Sequence, residues 1–316
     1  MFDRAAILFL YTETPLHAGS GTSLGIVDLP IQRERTTGYP MIQASGLKGC
    51  LRDAVDRNAQ KVEIVFGPDT QRASDHAGAL SVGDARILLF PVRSLMGVFA
   101  WVTSQNVLAR FKREAEMAGL SVNWDPIGPE PTDKRTAFVA SGSLVIANEK
   151  VVLEEFAFTA QTNNEVKAIA QWLKDKALPA GDEYAYWRDS LNKRLVILPE
   201  NAFRDFVQLS MEVIARVRID DAKKTVERGG LWTEEHLPSE TLLYATLFAS
   251  KPRAPSPPAD LQDAQAVLRF VKDAIDGKRL QLGGDATVGR GIVKVRFVEG
   301  QAQAQTIRAT QTGGQP

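Results

Sequence analysis

The sequence predicts an α+β fold in which helices back a largely antiparallel sheet. Three observations lead there. Apolar residues recur at helical spacing in some segments and run continuously or alternate in others, so both element types are present. The two types interleave along the chain, yet glycine turns and hairpin-like connections are too frequent for a doubly wound parallel sheet. Finally, 316 residues with 44% hydrophobic and 24% charged content supply a sizeable core.

Residues 5–14 read as the first strand. A helix is expected over 45–58, with Ser45 as its cap and Leu47, Leu51 and Val55 on one face. Phe66-Gly67-Pro68 is a turn, and Ala79 to Pro91 a strand whose second half is apolar enough to be buried on both faces. Ser104 caps an amphipathic helix that turns Val107, Leu108, Phe111 and Ala115 inward and ends at Gly119. Trp124 to Pro131 is irregular loop. Ser143 to Phe158 supplies strands, and Asn163 to Leu178 a helix burying Val166, Ile169, Ala170 and Leu173. Arg194 to Leu198, Met211 to Ile219 and Leu242 to Phe248 have strand character. The polar, charged stretch at 220–238 reads as a hairpin reaching away from the core, about 214–240 with its flanks. Prolines deny Lys251 to Pro258 any ladder hydrogen bonds, so it is an exposed connection. A helix (Asp263 to Ile275), a short strand (Arg279 to Leu282), a glycine-rich loop and a closing strand (Ile292 to Val298) complete the fold. From Gly300 the chain is low in complexity and reads as a disordered tail.

The 38 cations balance the 38 acids. Free-standing nucleic-acid binders carry a basic excess, because phosphate neutralisation supplies most of their affinity. This balance argues against independent tight binding and leaves room for a locally basic groove whose load is shared among neighbouring subunits. The single cysteine, Cys50, excludes an internal disulfide and a multi-cysteine zinc site. No apolar run approaches the ~18–20 residues that span a bilayer. The flanks of the N-terminal apolar stretch do not suit a signal peptide, so a cytoplasmic protein with no membrane partner is expected.

Chemistry concentrates in two places. In Leu16-His17-Ala18-Gly19-Ser20-Gly21 a strand runs into a flexible turn carrying a histidine, and Gly25-Ile26-Val27-Asp28-Leu29-Pro30 then presents a lone acid between apolar residues. Asp28 reads as a catalytic acid or a Mg²⁺ ligand, or as an ordinary loop aspartate closing a turn. His17 reads as a general acid or base or a phosphate donor, or as a loop histidine. Lys48 and Arg52, four apart near a helix N-terminus, either meet phosphate or form a solvated face. The second place is Gly283-Gly284-Asp285-Ala286-Thr287-Val288-Gly289-Arg290-Gly291, where backbone could approach a ligand closely beside the cation of Arg290, or simply turn a hairpin. A strand follows this loop, so it is not a dinucleotide-binding fingerprint. A Walker lysine motif is missing, and a serine triad is not expected.

Taken together, LHAGSG, GIVDLPIQRE, SGLKGCLR, GALSVGDARILLFPVRS, VVLEEFAF and LGGDATVGRG resemble the RAMP proteins of CRISPR systems, and among them the backbone subunits of type III-B (Cmr) effector complexes. The resemblance runs from about Ile7 to Val298. It implies one RAMP domain over 1–299, with a ferredoxin-like, RRM-related core and insertions arranged as palm, fingers and thumb. It implies stacked copies along a CRISPR guide RNA, other Cmr subunits as neighbours, and cleavage of paired single-stranded target RNA at regular intervals. By motif, Asp28 matches the catalytic aspartate, with a divalent ion, Mg²⁺ or Mn²⁺, as cofactor. His17 and a thumb glutamate, Glu234 or Glu235, take accessory catalytic roles. Ser45, Lys48 and Arg52, with Gly283, Gly284, Gly289, Arg290 and Gly291, match RNA-binding positions, and the 220–238 hairpin matches the thumb. Such a site would let the substrate's own 2′-OH attack phosphorus once a splayed nucleotide reaches in-line geometry. The equivalent type III-A subunit, a non-cleaving filament protein and a guide-processing ribonuclease are the alternatives.

Overall fold

The apolar run near the N-terminus becomes β1 (Arg4–Thr12) in a computed structural model that describes residues 2–55, 59–130 and 133–300. Ala6 to Tyr11 are buried on both faces because antiparallel neighbours flank the strand and helices cover it. After it come β2 (Met41–Ile42), α1 (Ala44–Ala54), α2 (Ala59–Phe66), β3 (Leu80–Val82), β4 (Ala85–Arg93), β5 (Phe99–Ser104) and α3 (Gln105–Met117). The middle of the chain forms β6 (Thr136–Val139), β7 (Ile146–Ala147), β8 (Lys150–Leu153), β9 (Phe156–Thr162), α4 (Asn164–Lys176), α5 (Ala185–Arg194), β10 (Leu195–Leu198) and α6 (Glu200–Leu209). The remainder is β11 (Glu212–Ile219), β12 (Val226–His236), β13 (Leu242–Ala249), α7 (Ala264–Ile275), β14 (Arg279–Gln281) and β15 (Ile292–Glu299).

Among the described residues one sheet holds thirteen strands, along the path β14-β15-β1-β13-β4-β5-β10-β6-β9-β8-β7, with β2 added on β4 and β3 on β13. Only β5/β10 and β6/β9 are parallel pairs, so the expected α+β class holds as a mixed, mainly antiparallel sheet with helices. Phe111 of α3 sits at the centre of the packing. Its ring lies 4.9–6.3 Å from those of Phe9, Trp124, Trp172 and Tyr244.

Several expectations are corrected. Ser45 does not cap α1: the helix begins at Ala44, whose N–H donates to Asp84 Oδ1 at 2.8 Å, so a carboxylate forty residues away does the capping. The helix expected over 45–58 stops at Ala54, where Val55 turns extended, and a separate α2 follows; residues 56–58 lie outside the described residues. The strand expected over Ala79 to Pro91 breaks at Gly83-Asp84 into β3 and β4, both of which lie along β13. Ser104 does precede α3, but its hydroxyl donates to Glu200 Oε2 while Glu200 Oε1 accepts from Asn106 N–H. There too the helix start is satisfied from a distance. Strands β5 and β6 and helices α5 and α6 were not foreseen, and the tail beyond Gly300 lies outside the described residues.

The hairpin is longer than 220–238. Its arms are β11 and β12, so Met211 to Ile219 serves the hairpin and not the main sheet. This two-stranded ribbon carries exposed Val213, Val217, Ile219, Val226 and Leu231 and stands apart from the thirteen-stranded sheet.

Candidate functional site

Four segments converge at the base of that ribbon. The exit of β1 and the exit of β12 are tied by reciprocal backbone bonds between Leu16 and Leu237 at 2.8–2.9 Å. The stretch after Asp28 lies along β12, with Leu29 N–H donating to Thr233 C=O and Glu235 N–H to Leu29 C=O, both at 3.0 Å. The glycine-rich loop closes from the other end of the chain, with Gly284 N–H donating to His17 C=O at 2.9 Å and Gly291 N–H to Pro15 C=O at 2.8 Å. Gly283 is required at that junction: its φ is +78°, and a Cβ there would lie 2.2 Å from the His17 carbonyl oxygen.

Asp28 is exposed. Its Oδ2 accepts from the backbone N–H and from the hydroxyl of Thr233, each at 2.8 Å, and its own N–H donates back to Thr233 Oγ1 at 3.0 Å. The backbone bond first and the hydroxyl second hold the Asp28 carboxyl below the usual aspartate value. Among the described residues Oδ1 has no hydrogen bond or ion pair. His17 Nδ1 lies 2.7 Å from the Glu235 carbonyl, which assigns the proton of the neutral ring to Nδ1 and leaves Nε2 as an acceptor.

Strand alternation separates Glu234 and Glu235 onto opposite faces of β12. Glu235 is buried: Oε2 accepts from Ile31 N–H at 3.0 Å, and Oε1 pairs with Arg33 in a short ion pair. Arg33 also donates to the carbonyls of Gly38 and Val207. Glu234, on the other face, accepts from Trp232 Nε1 at 2.7 Å and Arg216 Nε at 2.8 Å. Burial pushes its carboxyl up, but the bonds from Trp232 and Arg216 and the guanidinium charge outweigh that and hold it low.

Behind it, the fully buried ring of His236 places Nε2 3.4 Å from Asp285 Oδ2. Burial keeps this imidazole below the ordinary histidine value, against the Asp285 bond. The ligand atoms of Glu234, His236 and Asp285 lie within 4.8 Å of one another, a spacing a metal could bridge. Arg216 already answers that charge, bonding Glu234 and standing 3.6 Å from Asp285, so the donor set does not suit a divalent cation. Asp28 Oδ1 fits better, since Mg²⁺ commonly takes one or two protein carboxylates and completes its shell with phosphate and water oxygens.

The helix residues lie elsewhere. Ser45 and Lys48 line an open groove of about 490 Å³ with Gly78, Ser81 and Arg253, whose walls hold none of the residues around Asp28. Burial, then the neighbouring charge of Arg52, lowers the Lys48 ammonium below its ordinary value. Arg52 spends a guanidinium nitrogen on the Gly67 carbonyl, at 2.5 Å. Cys50 Sγ rests 3.2 Å from the Gln281 carbonyl, and burial with the Asp53 charge pushes its thiol up to about 11, so it is no nucleophile at neutral pH. The Arg290 guanidinium has no hydrogen bond or ion pair among the described residues.

The sequence did not single out Thr233 or Arg216. Both sit on the ribbon strands, and nothing in their local sequence marks them. Only the register of β11 with β12 and the docking of the Asp28 loop make them partners of acids.

The RAMP superfamily model matches residues 9–294. The chain is 46% identical over 308 residues to the CRISPR system Cmr endoribonuclease Cmr4 of Pyrococcus furiosus, covering 94% of this chain and 96% of that one. It is 28% identical to the CRISPR system CMR subunit Cmr4 of Saccharolobus solfataricus, over 92% and 95%. The crystal structure of oligomeric Cmr4 from P. furiosus superposes with a TM-score of 0.71 at 37% identity, over 94% of this chain and 99% of that one. Among the described residues no helix is long and apolar enough to cross a membrane.

Proposed function

The chain belongs to the RAMP superfamily, and we propose that it is the guide-RNA-binding backbone subunit of a type III-B Cmr complex that cuts guide-paired target RNA at Asp28. The observation that carries this reading is the presentation of Asp28: an exposed carboxylate with one oxygen fixed and the other free, at the foot of a ribbon that projects from the sheet. The likeness to a relative named as an endoribonuclease over nearly the whole of both chains supports it.

In this reading the core is the ferredoxin-like palm, and the ribbon of β11 and β12 is the thumb that separates one base pair from the next. Splaying a nucleotide frees its 2′-OH to approach phosphorus in line, which an A-form duplex disfavours. Asp28 accepts the hydroxyl proton or orders the charge beside the phosphate; as the 2′ oxygen bonds to phosphorus the bond to the 5′ oxygen breaks, and that oxygen takes a proton from water, leaving a 2′,3′-cyclic phosphate and a 5′-OH. A divalent ion held through Asp28 Oδ1 would supply charge neutralisation at the phosphate. His17 Nε2, an acceptor, stands ready to take or relay a proton. Both thumb glutamates are assigned to positioning, since each has its oxygens engaged.

Ser45, Lys48 and the loop at Gly283, Gly284, Gly289, Arg290 and Gly291 are assigned to guide backbone contacts, with Arg52 shaping the same helix. Target choice is left to base pairing, so the subunit needs backbone contacts alone. Copies of the chain and the other Cmr subunits share one guide, which suits its zero net charge.

The test is a guide-loaded complex incubated with end-labelled complementary RNA and Mg²⁺, with wild type set against Asp28→Asn. Evenly spaced cuts that vanish in the variant while target binding persists are expected. Identical ladders would remove Asp28 from the chemistry.

A further inference from the structure

The loop that carries Asp28 has little to hold it. Leu24 and Ile26 are fully exposed, so neither side chain packs the loop against the body of the protein. Bonds within the loop turn it, among them Ser23 N–H to Asp28 C=O at 2.8 Å, and polar contacts from one strand attach it. Glu235 anchors its exit through Ile31 N–H and Arg33, the bridge of Leu29 to β12 aligns the backbone, and among the described residues Thr233 supplies the hydrogen bonds from other residues to the Asp28 carboxylate.

We propose that Thr233 is the positioning residue of the cleavage site: its hydroxyl, donating to Asp28 Oδ2 and accepting from Asp28 N–H, locks the carboxylate so that Oδ1 faces the substrate. The inference rests on the reading of Asp28 given above. A hydroxyl has one proton and two lone pairs, so one Thr233 oxygen can make both bonds at once. Together with the Thr233 backbone N–H they leave Oδ2 doubly held and stop the carboxylate rotating about its side-chain bonds. A group fixed in this way loses no rotamer entropy when the phosphate arrives. Thr233 touches the acid and not the reacting atoms, so it acts through Asp28.

The variants are Thr233→Val, which keeps the β-branched shape and the backbone donor while removing both hydroxyl bonds, and Thr233→Ser, which keeps the bonds. Each is assembled into the guide-loaded complex beside wild type and Asp28→Asn, and single-turnover cleavage of complementary RNA is followed with Mg²⁺ present. Thr233→Val should cut roughly tenfold more slowly at neutral pH, the scale of one charge-assisted hydrogen bond lost from a reacting group. Target binding should be unchanged and Thr233→Ser should restore the rate, results that general loosening of the ribbon would not produce. Thr233→Val with the rate of wild type, or a faster rate, beside an inactive Asp28→Asn overturns the positioning role alone. If Asp28→Asn cuts like wild type, the reading of Asp28 falls and the role of Thr233 with it.

Discussion

Replacing Arg216 with glutamine should expose how much of the ribbon's attachment rests on one buried charge balance. Glu234 is 8% exposed at its side chain and Arg216 25%, and their bond is 2.8 Å. Removing one partner of a fully buried pair costs ~3–5 kcal/mol, because the other charge is left without compensation. Here water reaches the guanidinium and Glu234 keeps the indole N–H of Trp232, so about 2–3 kcal/mol at neutral pH is expected for Arg216→Gln. Adding Glu234→Gln to the same chain removes the stranded charge while its amide oxygen still accepts from Trp232. The double variant should therefore recover about 1–2 kcal/mol of that loss.

The pH dependence follows from the same charges. The wild-type Glu234 carboxyl titrates below its ordinary value of 4.5, so its contribution is complete above that pH and is lost as pH falls through the lower folded value. In the variant burial acts without the guanidinium and raises Glu234, so the penalty present at neutral pH fades as the acid takes up a proton. The gap between wild type and Arg216→Gln should narrow from about pH 8 to about pH 5, measured by urea unfolding of the full chain at one protein concentration. A gap that stays constant over that range, or a double variant no more stable than the single one, would refute the account.

Two further outcomes are expected. Gly283→Ala should cost about 2–4 kcal/mol, since alanine meets both a left-handed φ and the His17 carbonyl, whereas Gly277→Ala, at φ +68° with open space around it, should cost about 1 kcal/mol. Equal urea midpoints for the two would show that the His17 carbonyl yields without strain. Chelating divalent ions should abolish cleavage by the guide-loaded complex and leave the unfolding midpoint of the full chain unchanged, because Arg216 and not a metal balances Glu234 and Asp285. A midpoint that drops with chelator and returns with Mg²⁺ would place an ion in that cluster instead.

How much of this was legible depended on the distance over which each feature is decided. Helices α3, α4 and α7 were readable because a local apolar stripe fixes the buried face, and Asn163 and Asp263 cap α4 and α7 through bonds two or three residues away. Ser45 failed as a cap because α1 takes its acceptor from Asp84, on a turn whose approach no local pattern encodes. Helix α5 was missed for a related reason. Six of its ten residues are polar, and the burial of Ser190 and Arg194 comes from tertiary packing.

The candidate site shows the same division more sharply. Asp28 and His17 could be picked out by type and setting, since a lone acid in an apolar, glycine-rich turn is locally odd. Their environments could not. Thr233 clamps Asp28 across 205 residues, Glu235 reaches Ile31 across 204, and Gly284 meets His17 at the far end of the chain. Glutamates adjacent in sequence were indistinguishable as thumb acids until strand alternation put one against the Asp28 loop and the other against Arg216. The ribbon therefore supplies both the device that would open the duplex and the clamp that holds the acid. A displacement of the ribbon cannot leave Asp28 where it was, because both acid contacts and the Leu29 bridge lie on β12. On the reading proposed above, cleavage and thumb seating would be coupled through that one strand, with Thr233 as the contact through which the coupling reaches the carboxylate.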